Sequence, residues 1–222
     1  KTILVHAEQG IGDEIAFASC IPDLSKEAET VILDCEPRLA PLFKRSFPDI
    51  IIHGGRQDED ASWAEQYPDV DYQLPIASLP GFFRPGLESF PQKNGFLAPD
   101  PDKYAHWKHE LSLLPHTCSV GISWTGGGTA KTRSIRHIPL DLWENALSLK
   151  GVNIIDLQYG EHQQELKAFT EKSGIEIHSF ESIDPLLDMD QFAALIAALD
   201  LVISVDNSTV HISGSLGIPT YV

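Results

Sequence analysis

The sequence predicts an α/β chain of two domains, each a parallel β-sheet with helices on both faces. Short apolar runs recur along the 222 residues, each followed by a turn and a helix-like stretch. That alternation is the pattern of parallel strands buried on both sides. A stretch rich in Gly, Pro and acidic residues, from Gly54 to about Pro101, interrupts the series, and a second series begins after it. At about 150 residues per domain, the length accommodates one to two domains.

Thr2 to Ala7 reads as the first strand, Gln9-Gly10-Ile11-Gly12-Asp13 as a turn, and Glu14 to about Lys26 as a helix. Thr30 to Asp34 is the second strand. Pro37 starts a helix that carries Leu39, Leu42, Phe43 and Phe47 on one face and stops at Pro48, since proline suits a first turn and breaks an interior. Ile50 to His53 is a third strand, Tyr72 to Ile76 a short further one, and Pro101 to Leu114 a helix. The break at Pro115-His116 divides the chain into domains 1–116 and 117–222. In the second, Ser119 to Trp124 is a buried strand, followed by the loop Thr125-Gly126-Gly127-Gly128 and a helix from Pro139 to about Leu149. Val152 to Gln158 is a strand, Glu161 to Lys172 a helix, Ile175 to His178 a short strand and Asp190 to Leu199 an apolar helix. Leu201 to Val205 is a strand, Ser208 to Leu216 a helix, and Thr220-Tyr221-Val222 opens another strand, so the second domain is expected to be incomplete at its C-terminus. Two such series give two Rossmann-like, doubly wound halves facing each other across a cleft.

Composition narrows the function. Hydrophobic residues at 42% and charged residues at 22% describe a foldable chain. Sixteen Lys+Arg against 32 Asp+Glu leave a formal charge of −16, which repels phosphate backbones and anionic lipid, so nucleic acid is not an expected partner. The acids are dispersed apart from Asp58-Glu59-Asp60, as on a solvated surface. No apolar run nears the roughly 18 residues that span a bilayer, and the opening residues carry no signal-peptide pattern. Cys20, Cys35 and Cys118 are scattered, without metal or disulfide spacing. They read as core residues of a protein in the reducing cytoplasm.

Ligands of doubly wound folds bind beyond the carboxyl ends of the strands, which directs attention to the loops there. In Gln9-Gly10-Ile11-Gly12-Asp13 the glycines admit a close backbone approach. Asp13 is either a general base or an N-cap of the following helix. Asp206-Asn207-Ser208-Thr209-Val210-His211 opens a helix, where hydroxyls, free N–H groups and His211 suit a phosphate. Taken singly, Asp206 and Ser208 could be caps and His211 a core histidine. Trp124-Thr125-Gly126-Gly127-Gly128 leads into Lys131-Thr132-Arg133-Ser134-Ile135-Arg136-His137-Ile138-Pro139-Leu140, a basic group in an acidic chain. It is either a pyrophosphate clamp or an ordinary surface loop. Gln158-Tyr159-Gly160-Glu161 is placed to hold a ribose or base, although an acid at a helix start also satisfies the dipole. His106 and His109 share a helix face without a predictable third ligand, so no metal is expected.

At these loops the sequence resembles the GT-B glycosyltransferases of the heptosyltransferase type, as found at the C-terminus of bacterial tetratricopeptide-repeat proteins. The resemblance is carried by His6 to Ile15 with Phe17-Ala18, by Val120 to Trp124, by Arg136 to Leu140, and by Ala198 through His211 to Pro219. It implies a catalytic base at Asp13, donor-phosphate contacts at Arg136 and His211, and a contact of Asp206 with the donor sugar. The neighbouring Trp124, Thr125, Gly126, His137, Gln158, Tyr159, Asn207, Ser208 and Thr209 complete the expected donor site, with Gln9, Gly10 and Gly12 on the acceptor side. The function expected is metal-independent, inverting transfer of a sugar from a nucleoside diphosphate to an acceptor hydroxyl, with no cofactor. A glycan or protein acceptor fits the acidic surface better than a lipid. The alternatives are a nucleotide-sugar epimerase or hydrolase of the same fold and a non-catalytic nucleotide-sugar- or protein-binding module.

Overall fold

Runs of Val, Ile and Leu bounded by Gly, Pro and charged residues become the strands of a computed structural model that describes residues 1–56, 62–92, 95–128, 135–180 and 182–222. The chain divides into two compact units, Lys1–Ala98 and Pro99–Val222.

The first unit runs β1 (Thr2–His6), α1 (Ile11–Ala18), α2 (Ile21–Glu27), β2 (Thr30–Asp34), α3 (Ala40–Ser46), β3 (Ile51–His53), β4 (Tyr72–Pro75) and α4 (Leu79–Phe83). Its strands lie in the order β3-β2-β1-β4, all parallel, with Val5 opposite Leu33 on one side and Leu74 on the other. Val5, Ile15, Leu33, Leu42, Phe43 and Ile76 are wholly buried in its core. The single helix expected from Glu14 to Lys26 is two helices. Pro22 stands in the first turn of α2, because it can donate no N–H within a continuous helix and its ring would meet the carbonyl four residues earlier.

The second unit runs α5 (Pro101–Ser112), β5 (Cys118–Ser123), α6 (Glu144–Leu147), β6 (Val152–Asp156), α7 (Gln163–Ser173), β7 (Ile177–His178), α8 (Met189–Ala197), β8 (Leu201–Ser204), α9 (Ser208–Ser215) and β9 (Thr220–Tyr221). The sheet order is β7-β6-β5-β8-β9, again all parallel. Val120, Ile122, Trp143, Ile154 and Phe169 pack in its core. Gly174 ends α7 in the left-handed conformation, φ +70°, which a residue without Cβ adopts at no steric cost. The helix expected from Pro139 is a 3-10 turn, Leu140–Trp143, followed by the single turn of α6. There the Ser148 hydroxyl donates to the Glu144 carbonyl at 2.6 Å, a local bond that competes with helix continuation.

The contact boundary at Ala98–Pro99 falls before α5, whereas the sequence break suggested residue 116. The cause is packing of α5 on α8. Trp107, 2% exposed, donates from Nε1 to Gln191 Oε1 at 3.1 Å, and Lys103 Nζ lies 2.9 Å from Asp190 Oδ2. No helix among the described residues is long and apolar enough to cross a membrane.

Candidate functional site

In the first unit the loop after β1 turns into α1 with Gly10 as its N-cap. Asp13 sits in the third helical position, and its Oδ2 accepts the Gly10 N–H at 3.0 Å. It is therefore the reaching-back acid of a capping box, not the N-cap itself. The residue is exposed, and Oδ1 has no hydrogen-bond partner among the described residues. Gln9 and Gly10 thus lie in the loop after β1, and Gly12 and Asp13 in the first turn of α1 that follows it.

Behind that loop lies an ionic cluster that the sequence reading missed. Glu14 is wholly buried, its Oε2 accepting the Glu36 N–H at 2.9 Å and its Oε1 paired with Arg56. Arg56 also donates to the Gln9 carbonyl. Glu36, beside the end of β2, takes Arg38 Nε at 2.8 Å. Burial raises the Glu14 carboxyl above the usual range, against the lowering effects of the Glu36 N–H and Arg56. Burial, with the charges of Glu14, Asp34 and Glu36, raises the Cys35 thiol as well. A signal was available: Glu14 occupies the same helix stripe as Ile11 and Ala18, the buried face of α1.

In the second unit the carboxyl ends of β6, β5 and β8 lie side by side. Of the residues expected at the donor, Trp124, Gln158 and Asn207 are buried and hydrogen-bonded within the protein. Trp124 is wholly buried, donates from Nε1 to Glu165 Oε2 at 2.9 Å and meets the His162 ring edge to face. Gln158 Oε1 accepts from Ser123 Oγ at 3.1 Å and from the N–H groups of Trp124 and Thr125 at 2.9 and 2.8 Å. Its Nε2 donates to the carbonyls of Thr125 and Tyr159 at 3.2 and 3.0 Å. Asn207 caps α9 by accepting the Thr209 N–H at 2.9 Å and donates to Ser123 Oγ at 2.8 Å. These polar groups are used up inside the protein.

Other predicted residues do come together at the surface. Thr125 forms an antiparallel bridge with His137, its hydroxyl 2.7 Å from His137 Nδ1, and the Gly126 N–H donates to the Arg136 carbonyl at 2.8 Å. Arg136 Nη2 then stands 3.4 Å from Asp206 Oδ2, both side chains about half exposed. A Cβ on Gly126 would lie 2.8 Å from Arg136 Cβ, and one on Gly127 3.0 Å from the Tyr159 hydroxyl. Ser208 and His211 are half-buried on the first turns of α9, and the buried Thr209 hydroxyl has no hydrogen-bond partner among the described residues. Lys131-Thr132-Arg133-Ser134 and the run Asp58-Glu59-Asp60 lie outside the described residues.

A cavity of about 560 Å³ opens past the ends of β6 and β7, lined by the loop after β6 and not by the Arg136 or Asp206 loops. Tyr159 and Glu161 line it together with Phe180, Ile183, Asp184 and Phe192. The size and mixed lining suit a small molecule. The part of the wall formed by Ser179, Phe180 and Ile183 to Leu186 was not legible in the sequence, because these residues carry no helix or strand periodicity. On the cavity wall His162 Nε2 lies 2.8 Å from Asp156 Oδ2, and Nδ1 lies 2.7 Å from the Gly160 carbonyl. Both of these partners are acceptors, an arrangement that favours the charged, doubly protonated ring. Burial opposes that charge, but the bond to Asp156, its negative charge and the Gly160 carbonyl raise the His162 pKa above its ordinary value. His106 and His109 lie on α5, and no group of three metal-binding side chains occurs among the described residues.

No protein-family model matches the chain. Protein FlbA of Caulobacter vibrioides is 37% identical over 231 residues, an alignment that covers all of this chain and 39% of FlbA. The chain therefore spans well under half the length of that curated relative. Among solved structures, the ADP-heptose lipopolysaccharide heptosyltransferase II of E. coli superposes with a TM-score of 0.69 at 14% identity, covering 99% of this chain and 83% of that one. A glycosyl transferase family 9 protein of Veillonella parvula gives 0.70 at 13% identity, with coverages of 99% and 80%. Two parallel, doubly wound sheets in this order are the GT-B-like fold, and this chain shares it with those glycosyltransferases.

Proposed function

We propose that the chain is a glycosyltransferase of the heptosyltransferase type, the version carried by bacterial tetratricopeptide-repeat proteins. It moves a sugar from a nucleoside diphosphate to an acceptor hydroxyl with inversion at the anomeric carbon. The observation that carries this reading is the convergence of Arg136, Asp206 and the start of α9 at the carboxyl end of the second sheet, where the Tyr159 loop that borders Gly127 also lines the 560 Å³ cavity. The cavity takes the nucleoside, with Tyr159 and Glu161 at the ribose. The diphosphate lies at the N–H groups opening α9, where the helix dipole favours an anion, and draws on Arg136 and His211. Asp206 contacts the sugar.

In the first unit, the exposed carboxylate of Asp13 takes the proton of the acceptor hydroxyl. The freed oxygen bonds to the anomeric carbon as the bond from that carbon to the diphosphate oxygen breaks. The electron pair leaves with the diphosphate, whose charge Arg136, His211 and the helix end stabilise without a metal ion. A placed base contributes about 10²–10⁴-fold, and fixed dipoles and cations at the leaving group at least comparable amounts. The acidic surface, formal charge −16, favours a soluble glycan or protein acceptor, and the setting is cytoplasmic.

The test is a thermal-shift screen against nucleotide sugars that includes ADP-heptose and GDP-fucose, followed by transfer assays. A donor at 100 times its Kd raises stability by about 2.7 kcal/mol. Asp13→Ala should abolish transfer and leave donor affinity within a few-fold. Surviving transfer removes Asp13 from the mechanism. Donor binding without turnover under any acceptor identifies a binding module instead.

A further inference from the structure

The loops that carry the proposed donor site are joined underneath by buried side chains. Asn207 Nδ2 donates to Ser123 Oγ at 2.8 Å, and Ser123 Oγ donates to Gln158 Oε1 at 3.1 Å. All of these residues are buried: Asn207 is 5% exposed, Ser123 0% and Gln158 6%. They follow or end β8, β5 and β6, neighbours in the sheet. Strands next to one another are about 4.8 Å apart, so β8 and β6 stand roughly 10 Å apart, and Asn207 and Gln158 are joined through the Ser123 hydroxyl and, by longer bonds of 3.3 and 3.2 Å, through the Thr125 carbonyl to which both donate.

Each end of this chain of bonds grips backbone. Gln158 holds the N–H groups of Trp124 and Thr125 and the Tyr159 carbonyl. Asn207 holds the Thr209 N–H that opens α9, and the Thr125 carbonyl at 3.3 Å. Through Gly126, whose N–H meets the Arg136 carbonyl at 2.8 Å, the grip extends to Arg136. Bonds in series within a dry interior reinforce one another, and a partly broken set is costly.

We propose that Ser123, Gln158 and Asn207 form a positioning relay, with the Ser123 hydroxyl as hub, that sets the Arg136 loop, the Tyr159 loop and the start of α9 as one cooperative unit. That these loops receive a nucleoside diphosphate rests on the function proposed above. The coupling between them does not.

Asn207→Asp separates relay from cap. Aspartate caps a helix as well as asparagine does, so a residue that only capped would tolerate the change. Losing the Nδ2 donor, the relay instead releases the Gln158 to Gly160 loop, which Asn207 does not touch, together with the Thr125 loop that it does. Hydrogen–deuterium exchange on the full chain should show the amides of Gln158 to Gly160 and of Trp124 exchanging about tenfold faster, the ratio given by losing one net hydrogen bond. Amides within β5 and β6 should be unchanged. Ser123→Ala should loosen all the loops together. Faster exchange confined to the first turn of α9 overturns the relay.

ADP and GDP serve as calorimetric probes of the second arm. Whichever binds the wild type should bind Ser123→Ala about tenfold more weakly, and Asp13→Ala unchanged. Equal affinity for Ser123→Ala overturns the positioning role. If neither probe binds the wild type, the donor-site reading fails while the exchange data still decide the relay.

Discussion

Arg136 and Asp206 meet at 3.4 Å with both side chains about half in solvent, an ion pair worth roughly 0–1 kcal/mol after screening. Asp206→Asn should therefore leave the melting temperature within a degree or two. Arg136→Ala should weaken donor binding about tenfold or more, because a guanidinium binds phosphate oxygens in a forked, charge-assisted geometry. Calorimetric titration beside a melting curve separates the two effects. Gly126→Ala acts on the same arginine from behind, since its new Cβ needs space now taken by Arg136 Cβ at 2.8 Å. Donor affinity should fall by about tenfold, and unfolding free energy by no more than about 1–3 kcal/mol, the usual range for overpacking. Glu14 behaves differently. It is wholly buried opposite Arg56, so Glu14→Ala should lower the urea-unfolding free energy by about 1–3 kcal/mol, chiefly by leaving the buried Glu36 N–H without its acceptor, since Arg56 keeps Glu36 and the Gln9 carbonyl. A loss under about 1 kcal/mol would show the cluster to be solvated after all.

At the scale of elements, the segment from β6 to α7 holds a titratable contact. The His162 pKa is raised from 6.5 by Asp156 and the Gly160 carbonyl, against burial. A histidine raised on folding contributes stability that is complete below about pH 6.5 and is lost as pH rises through the higher folded value. Exchange of the Gly160 and Glu161 amides should accelerate over that rise beyond its intrinsic pH dependence. His162→Gln should remove the excess. The strands that frame this segment were legible in the sequence: Val152 to Asp156 and Leu201 to Ser204 are short segments dominated by Val, Ile and Leu, the composition of strands covered on both faces. Side-chain direction at a strand end was not legible. Trp124 and Gln158 close expected strands and were assigned to the donor, yet the Trp124 side chain is wholly buried and that of Gln158 holds the backbone of the Thr125 loop, because which way the chain turns after a strand depends on partners remote in sequence. Glu14 and Arg56, 42 positions apart, lay beyond local pattern for the same reason. The break between α1 and α2 was visible in Pro22 and was passed over.

For the whole molecule, the division at Ala98–Pro99 makes α5 part of the second unit. Trp107, 2% exposed against α8, should then matter only there. Trp107→Ala should cost about 3–5 kcal/mol and speed amide exchange in β5 and β8 while leaving β1 and β2 unchanged. Acceleration in β1 and β2 would place the helix with the first unit.

The strand orders β3-β2-β1-β4 and β7-β6-β5-β8-β9 share a property that bears on how such a chain changes over time. In each, the connections leave the central strand toward opposite flanks, so a crevice opens above that strand without any residue being chosen to carve it. Asp13 follows β1, and Thr125 and Asp206 follow β5 and β8, at those topological switch points. Specificity for a different sugar or base can then be acquired by editing loop residues alone, while selection on the two apolar interiors continues undisturbed.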